Sequence, residues 1–242
     1  MYWEYGRELL SMIYPKCCPV CGRIILPKGR VVCEQCKNSL QLIKEPRCKK
    51  CSKPINNETA EYCYDCQRKQ YHYSYGISVW VYDKAMQKSI AAFKYKHKKE
   101  YADFYVDQIL SHCKEVLDRM KLDLIVPVPT HKRRLKQRGY NQASTLAKGI
   151  AKGLGITWSD EILVRKVNTT PQKLLNPTDR LHNLRHAFSL KDEKRLQITS
   201  KKILLVDDIY TTGSTIEVCS QILIKAGAKE VYFVTICIGK GF

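Results

Sequence analysis

Apolar and polar positions alternate in blocks along the second part of the chain. Five runs are short and apolar, as buried strands are, and they span residues 77–83, 122–129, 162–167, 201–208 and 231–239. Residues 101–120 and 141–155 instead repeat their apolar positions at the helical period, as a shorter stripe around Ile90 also does. Strands that alternate with helices predict a mostly parallel sheet flanked by helices, an α/β domain. We place the start of this domain at Gly76, so that it covers residues 76–242.

Residues 1–75 follow a different pattern, which cysteine dominates. Eight of the 12 cysteines form four CxxC pairs, and each pair begins 15 residues after the previous one. The pairs are Cys18/Cys21, Cys33/Cys36, Cys48/Cys51 and Cys63/Cys66. Two CxxC turns supply the four thiolates of a tetrahedral zinc site, so the repeat predicts a small double zinc ribbon with two structural Zn²⁺ ions. A disulfide framework is the alternative, but it requires an oxidising compartment.

Chain entropy favours one pairing of these four turns. Joining neighbouring turns gives one site from Cys18 to Cys36 and a second from Cys48 to Cys66, and each site then closes a short loop. Interleaved pairing is the alternative, and Cys17 also permits a shifted ligand register. The remaining cysteines lie in periodic apolar segments, which favours buried thiols over nucleophiles. They are Cys113, Cys219 and Cys237.

The charge of the chain indicates an anionic partner. Lys and Arg number 42 against 23 Asp and Glu, which gives a formal charge of +19. Nucleic acid and phosphate-rich ligands suit such a surface, whereas a basic surface without a partner is the alternative. No apolar run reaches the roughly 20 residues that span a bilayer, and residues 1–15 lack the order of a signal peptide, so we expect a cytoplasmic protein.

Two basic stretches, residues 84–99 and 131–148, contain no acidic residue. Aromatic rings are interleaved with the lysines of the first stretch, a mixture that suits single-stranded DNA because bases stack on rings and phosphates pair with cations. A solvated helix face is the competing interpretation. The candidate nucleic-acid contacts are Lys94, Tyr95, Lys96, Lys98, Arg134 and Lys136.

The stretch ILLVDDIYTTGSTI, residues 203–216, joins an apolar strand to two adjacent carboxylates and a run of small hydroxyl residues. A helix is predicted to follow, from Ser214 to Gly227. The loop therefore lies between the carboxyl end of a strand and the amino end of a helix, where free backbone N–H groups favour phosphate. The carboxylates require a different partner.

Other loops should meet at the same edge of the sheet. Ligands of open α/β sheets gather at the carboxyl ends of the strands, which here are followed by loops beginning at Pro127, Asn168 and Asp207. Arg133 and Arg138, in the first of these loops, could reach ligand phosphates in bidentate geometry. The connection over residues 168–183 has no periodicity and is long, as functional lids and disordered segments are.

The segment VDDIYTTGST resembles the signature of type I phosphoribosyltransferases. The resemblance implies that fold and a site for phosphoribosyl pyrophosphate (PRPP), with Asp207 and Asp208 contacting the ribose hydroxyls and Mg²⁺ bound to the pyrophosphate. It also implies that the loop residues hold the ribose 5-phosphate. These residues are Thr211, Thr212, Gly213, Ser214 and Thr215.

The whole chain is similar to the ComF family of competence-associated proteins. The similarity rests on the four CxxC pairs, on FKYKHKKEY (93–101), VPVPTHKRRLKQRGYNQASTLA (126–147) and PQKLLNPTDRLHNLRHAF (171–188), and on the loop that follows them. It implies a role in natural transformation, beside the DNA-uptake machinery, with single-stranded DNA and a DNA-dependent helicase as partners.

One departure bears on activity. Purine phosphoribosyltransferases commonly place an acid where this chain has Thr211, so binding of PRPP is better supported than transfer to a purine. Two alternatives stay open. The protein could transfer phosphoribose to an unidentified base or amine, or it could be a catalytically silent adaptor that docks through its zinc ribbons.

Overall fold

The computed structural model describes residues 15–26, 30–167 and 186–239. The cysteine-rich part contains two short helices, α1 (Glu34–Ser39) and α2 (Tyr64–Arg68). The part that follows contains β1 (Tyr75–Val81), α3 (Lys84–Tyr95), α4 (Tyr101–Arg119), β2 (Leu124–Pro127), α5 (Lys132–Arg138), α6 (Gln142–Leu154), β3 (Leu163–Arg165), β4 (Phe188–Leu190), α7 (Arg195–Ile198), β5 (Lys202–Tyr210), α8 (Ser214–Lys225) and β6 (Glu230–Ile238). Within these ranges, the described helices include none long and apolar enough to cross a membrane.

The central sheet has the strand order β1-β6-β5-β2, and every neighbouring pair is parallel. Alternate residues of its strands are buried on opposite faces. Ile203 and Leu205 of β5 belong to the core on one side, and Leu204 and Val206 belong to the core on the other. Burial of both faces explains why the strands are continuous apolar runs in the sequence.

Three helices cover the first face. Asp83 caps α3 by accepting a hydrogen bond from the Met86 amide at 2.9 Å, and the predicted stripe of this helix is buried. α6 packs closely against α4. A Cβ atom added to Gly149 would stand only 2.7 Å from the Val106 side chain. The absence of a side chain at this position therefore lets the two backbones approach each other.

The other face is covered by α8, by the β3–β4 pair and by the second cysteine cluster. Three of its cysteines are buried in one core with residues of α8 and of the sheet; they are Cys48, Cys51 and Cys63. The predicted domain boundary at residue 76 falls at the start of β1, and the chain on both sides of it contributes to this core. The two parts of the protein therefore share hydrophobic packing.

The structure corrects the predicted topology in two places. The strand predicted at residues 162–167 is β3, which pairs antiparallel with β4 in a separate two-stranded sheet. Its end is therefore not part of the carboxyl edge of the central sheet, and Asn168 with most of the connection after it lies outside the described residues. Residues 132–138 form α5, for which the sequence pattern predicted only a basic cluster.

Candidate functional site

The candidate site, called the crevice below, is the carboxyl edge of the sheet beside β5, where open α/β sheets bind their ligands. Pro127, the last residue of β2, pairs with Val206, whereas pairing of β5 with β6 continues through Tyr210. β5 is therefore longer than predicted, and Asp207 and Asp208 lie beyond the end of the neighbouring strand β2. A strand that outlasts its neighbour leaves room for a ligand at the sheet edge.

Lys94 is the direct partner of the acidic pair. Its Nζ lies 2.8 Å from Oδ1 of Asp208, and the two side chains are only 18% and 11% exposed. Burial lowers the pKa of Lys94, but Asp208 and Asp207 outweigh that effect, so the net direction is upward and the ammonium stays charged. Lys94, which the sequence analysis places among the candidate nucleic-acid contacts, is thus paired with Asp208 in the structure.

Asp207 carries the most perturbed carboxyl group of the crevice. Burial, followed by the charge of Asp208, raises the pKa of Asp207 from 3.8 to about 7, although Lys94 and Arg165 oppose the rise. Its Oδ1 accepts a hydrogen bond from the Asp208 amide at 2.8 Å. Near neutral pH the carboxyl group therefore stands between its neutral and charged forms, and a ligand that donates hydrogen bonds or brings positive charge favours the charged form.

The loop after the acidic pair ends at the amino terminus of α8. Gly213 has a φ of 77°, and no side chain caps the helix at this position. Thr211 and Thr212 are exposed, and the Oγ1 of Thr212 lies 3.0 Å from the Oγ of Ser214. Uncapped N–H groups at the positive end of a 12-residue helix, next to hydroxyl groups, form an arrangement that binds phosphate.

Arginines surround the acidic pair, but they are only partly those predicted. Arg138 is 9% exposed, and its Nη1 and Nη2 donate hydrogen bonds to Gln142 at 3.1 Å and to the Tyr95 hydroxyl at 3.2 Å. Arg133, which was predicted to reach ligand phosphates, is exposed on α5. Arg134 was predicted to face outward, and in the structure it lies close to Arg165. Burial of Arg165 and the positive charge of Arg134 together lower the pKa of Arg165.

The sequence pattern did not predict Arg165 as a residue of this site, and it did not predict that Lys94 pairs with Asp208. Arg165 lies on β3, and its guanidinium stacks over the Phe188 ring at 5.0 Å. A charged residue inside the apolar run ILVRKV was the available signal for Arg165. Lys94 also had a signal, because it lies four residues after Ile90 and the helical period therefore places it on the apolar stripe of α3.

The remaining predicted nucleic-acid residues differ in exposure and in their partners. Lys96 and Lys136 are exposed, and Lys98 pairs with Glu100 at 3.3 Å. Tyr95 is 60% exposed, and the Arg138 guanidinium lies 5.0 Å from its ring centroid. An exposed ring backed by a cation is an arrangement on which a base can stack.

The cysteines form two separate groups of four, as the sequential pairing predicted. One group is Cys18, Cys21, Cys33 and Cys36, and the other is Cys48, Cys51, Cys63 and Cys66, with all sulfur atoms of a group within 4.8 Å of one another. None of the 12 cysteines, all of which the structure describes, forms a disulfide.

The geometry and chemistry of both groups fit zinc. The Sγ atoms of Cys21 and Cys33 are 3.7 Å apart, as are those of Cys51 and Cys63. A tetrahedron with Zn–S bonds of about 2.3 Å has edges of about 3.8 Å, so four thiolates at this spacing suit one Zn²⁺ ion. Cys17 stands outside the group, with its thiol 3.6 Å from the Pro15 carbonyl.

The other cysteines are buried as predicted. Cys113, Cys219 and Cys237 are at most 4% exposed. Burial raises the pKa of the Cys113 thiol to about 11 and raises those of Cys219 and Cys237 well above the usual range. Because the thiolate is the nucleophilic form, these thiols are chemically inert.

We predict that the purified protein holds two Zn²⁺ ions per chain. Cys48→Ser should lose one ion and also destabilise the sheet domain, because Cys48 lies in the core that this domain shares. Cys36→Ser is the matched variant in the other group, whose small separate core should confine the damage. Elemental analysis and thermal unfolding measure both effects, and a zinc-free preparation with full stability would contradict the assignment.

A second prediction concerns the pH dependence of stability. Because the folded state holds the Asp207 proton more tightly than the unfolded chain does, this residue lowers stability as pH rises from about 4 to about 7. Asp207→Asn removes the effect, so its advantage over the wild type should grow across this range and exceed about 1.4 kcal/mol, the equivalent of one pKa unit, at pH 8. Urea unfolding at pH 4.5 and 8 measures it.

The control for this prediction is Asp118→Asn. Asp118 is a half-exposed carboxylate on α4 that pairs with Lys114 at 2.8 Å. A similar gain in this variant, or no gain for Asp207→Asn at pH 8, would show that the acidic pair is not strained by burial.

Comparison with known proteins agrees with this structure. Residues 9–67 match the model of the double zinc ribbon domain, and residues 140–241 match that of the phosphoribosyl transferase domain. The chain is 29% identical to competence protein F of Haemophilus influenzae, over 82% of this chain and 93% of that protein. It is 28% identical to the DNA utilization protein YhgH of Escherichia coli K12, over 85% and 89%.

A third relative exceeds both in identity. The chain is 30% identical to competence protein ComFC of Streptococcus pneumoniae, over 83% of this chain and 84% of that protein. With relatives of this similarity along most of its length, and with a double zinc ribbon followed by a phosphoribosyltransferase fold, the chain belongs to the ComF family of competence proteins.

Proposed function

We propose that the crevice binds PRPP with Mg²⁺ and that the protein acts in DNA uptake as a PRPP-binding accessory factor. The observation that carries the proposal is the loop between β5 and α8. An acidic pair near the carboxyl end of the strand is followed, after residues 209–213, by an uncapped helix amino terminus. One end of this loop suits the ribose diol, and the other end suits the 5-phosphate.

The surrounding cations support the same ligand. Arg165 is close enough to Asp207, and Arg138 close enough to Lys94, for their charges to interact, and both guanidinium groups suit a pyrophosphate group. The Nε of Arg138 is buried and has no hydrogen-bond partner among the described residues. Mg²⁺ bound together with PRPP would supply positive charge that offsets the charge of the pyrophosphate.

Lys94 compensates the charge of Asp208. A ribose diol needs the same carboxylate oxygens as hydrogen-bond acceptors, so PRPP and Lys94 share Asp208 or exchange places on it. Thr211 is exposed at the mouth of the loop and offers no carboxylate to act as a base toward a purine. Ligand binding is therefore better supported than transfer to a purine, and transfer to another base or amine is the second candidate.

DNA is the proposed macromolecular ligand. The relatives include a DNA utilization protein, and Lys96, Lys136 and Tyr95 are exposed, so that these two cations and this ring are available to a ligand. Single strands bind to such groups through phosphate pairing and base stacking. A DNA-dependent helicase is the proposed protein partner, and the zinc ribbons are its proposed docking site.

The PRPP proposal predicts the behaviour of a double variant, Asp207→Asn with Asp208→Asn. The amides keep the shape of the side chains but remove the charges, so the ribose diol loses charge-assisted hydrogen bonds worth roughly 1.5–3 kcal/mol each. Affinity for PRPP with Mg²⁺ should fall at least tenfold, since about 1.4 kcal/mol is a factor of ten. Calorimetric titration measures the change, with Asp118→Asn as the control.

If the wild type does not bind PRPP, or if the double variant binds it equally well, the adaptor interpretation replaces this proposal. Measurement of pyrophosphate released from PRPP with a panel of bases and amines then separates the silent binding protein from an enzyme. Release that depends on one acceptor would establish transfer chemistry.

The DNA proposal predicts a change in salt dependence. Each neutralised phosphate of a single strand contributes a slope of about −0.7 to the dependence of log K on log salt concentration. Lys96→Ala with Lys136→Ala should therefore flatten the slope by roughly 1.4. Lys114→Ala, on α4, is the control. An unchanged slope in the double variant would assign Lys96 and Lys136 to a solvated face.

A further inference from the structure

Residues 69–74, which join the second zinc ribbon to β1, contact residues on both sides of the proposed phosphate-binding loop, residues 211–215. We infer that Tyr73, in this segment, is a positioning residue that couples zinc retention at Cys48, Cys51, Cys63 and Cys66 to binding of the sugar phosphate. The inference rests on the proposed function, because it assigns a regulation to that same loop. It goes further in making one of the two zinc sites part of the ligand site.

The first contact of this coupling lies before the loop. The hydroxyl groups of Tyr73 and Tyr210 are 2.7 Å apart, and both residues are buried. Both rings also pack on Phe233, Tyr73 edge-on at 4.9 Å and Tyr210 stacked at 4.8 Å. Three rings that fix one another in this way hold Tyr210 in one position.

Tyr210 in turn forms the support of the loop. A Cβ added to Gly213 would lie 2.3 Å from the Tyr210 hydroxyl oxygen, so the backbone of the loop rests directly on this ring. Gly213 also has a φ of 77°, a conformation that side chains rarely adopt. Movement of Tyr210 therefore changes the place of the N–H groups that follow Gly213.

The second contact lies after the loop. The His72 amide donates a hydrogen bond to Oε2 of Glu217 at 2.8 Å, and the Nδ1 of His72 lies 2.5 Å from Oε1. Glu217 is in the first turn of α8, and its side chain is 10% exposed. His72 and Tyr73, which are neighbours in the joining segment, thus contact the residues on both sides of the loop. Tyr73 contacts Tyr210 at the end of β5, and His72 contacts Glu217 in the first turn of α8.

The zinc ribbon holds the other side of this segment. Lys50 is inside the CxxC turn of Cys48 and Cys51, and its carbonyl accepts a hydrogen bond from the Gly76 amide at 2.9 Å. Ser52 follows the same turn, and its Oγ lies 2.5 Å from the Gly76 carbonyl. The ammonium of Lys50 also lies 5.4 Å from the centre of the Tyr73 ring. A turn whose shape depends on zinc therefore fixes the chain on which Tyr73 stands.

The first zinc ribbon provides an internal comparison. It has a small core of its own, and it contacts the sheet domain through α3, where the Ser89 hydroxyl donates to the Pro19 carbonyl at 2.6 Å. Among the described residues, its cysteines are not in the core that contains Tyr73 and Tyr210. Loss of zinc from this ribbon should leave the loop in place.

Coupling of this kind is reciprocal. If zinc at the second ribbon strengthens binding of PRPP, then PRPP must strengthen retention of zinc there by the same factor. With a chelator in excess, PRPP should therefore slow the release of one Zn²⁺ per chain and leave the other unchanged. In the Cys36→Ser variant the remaining zinc should be protected by PRPP, and in Cys63→Ser it should not.

Tyr73→Phe tests the positioning role, and Tyr105→Phe is its matched control. Tyr105 is also fully buried, and its hydroxyl makes a 2.6 Å hydrogen bond to Ser89, near the first ribbon. Loss of one hydroxyl pair should weaken PRPP binding about three- to tenfold in Tyr73→Phe only. Amide hydrogen exchange at residues 211–215 should accelerate by a similar factor in Tyr73→Phe, with or without PRPP.

Hydrogen exchange separates the two possible failures. If the wild type does not bind PRPP, the proposed function fails, but faster exchange of the loop in Tyr73→Phe and in Cys63→Ser still supports the positioning role. If exchange at residues 211–215 is the same in Tyr73→Phe, Tyr105→Phe and the wild type, the inference is overturned. Equal protection of both zinc ions by bound PRPP would also overturn it.

Discussion

The structure depends on compensation of two adjacent carboxylates at the end of a buried strand. Asp207 and Asp208 lie beyond the end of β2, and burial opposes the negative charge of Asp207. The ammonium of Lys94 reaches Asp208 from α3, on one face of the sheet, while Arg165 approaches from β3. Charges from elements that are distant in sequence thus compensate this pair at one edge of the sheet.

Local patterns predicted what depends on local chemistry. The spacing of the CxxC pairs predicted both cysteine groups because the ligands of each site come from neighbouring turns. The apolar runs predicted the parallel strands because both faces of the sheet are buried. The sequence also predicted the loop between β5 and α8, because a strand, a glycine and a helix that follow one another closely determine the backbone of this loop.

Contacts between distant segments could not be predicted. Lys94 lies 114 positions before Asp208, and although its spacing from Ile90 places it on the buried face of α3, that spacing does not identify Asp208 as its partner. The antiparallel partner of β3 comes from a segment that showed no strand pattern, so its separation from the central sheet was unforeseen. The contact of Tyr73 with Tyr210 spans 137 positions and depends on how the second ribbon packs against the sheet. Each of these contacts is decided by tertiary packing, which a linear pattern does not record.

A structure of the protein with PRPP and Mg²⁺ tests the central claim most directly. The account predicts that the 5-phosphate lies within hydrogen-bond distance of the backbone N–H groups of residues 212–215, and that the ribose hydroxyls lie on Asp207 and Asp208. The pyrophosphate should then face Arg138 and Arg165. A complex in which the 5-phosphate lies away from this loop, or in which Lys94 and Asp208 stay paired with no ribose beside them, would contradict the account.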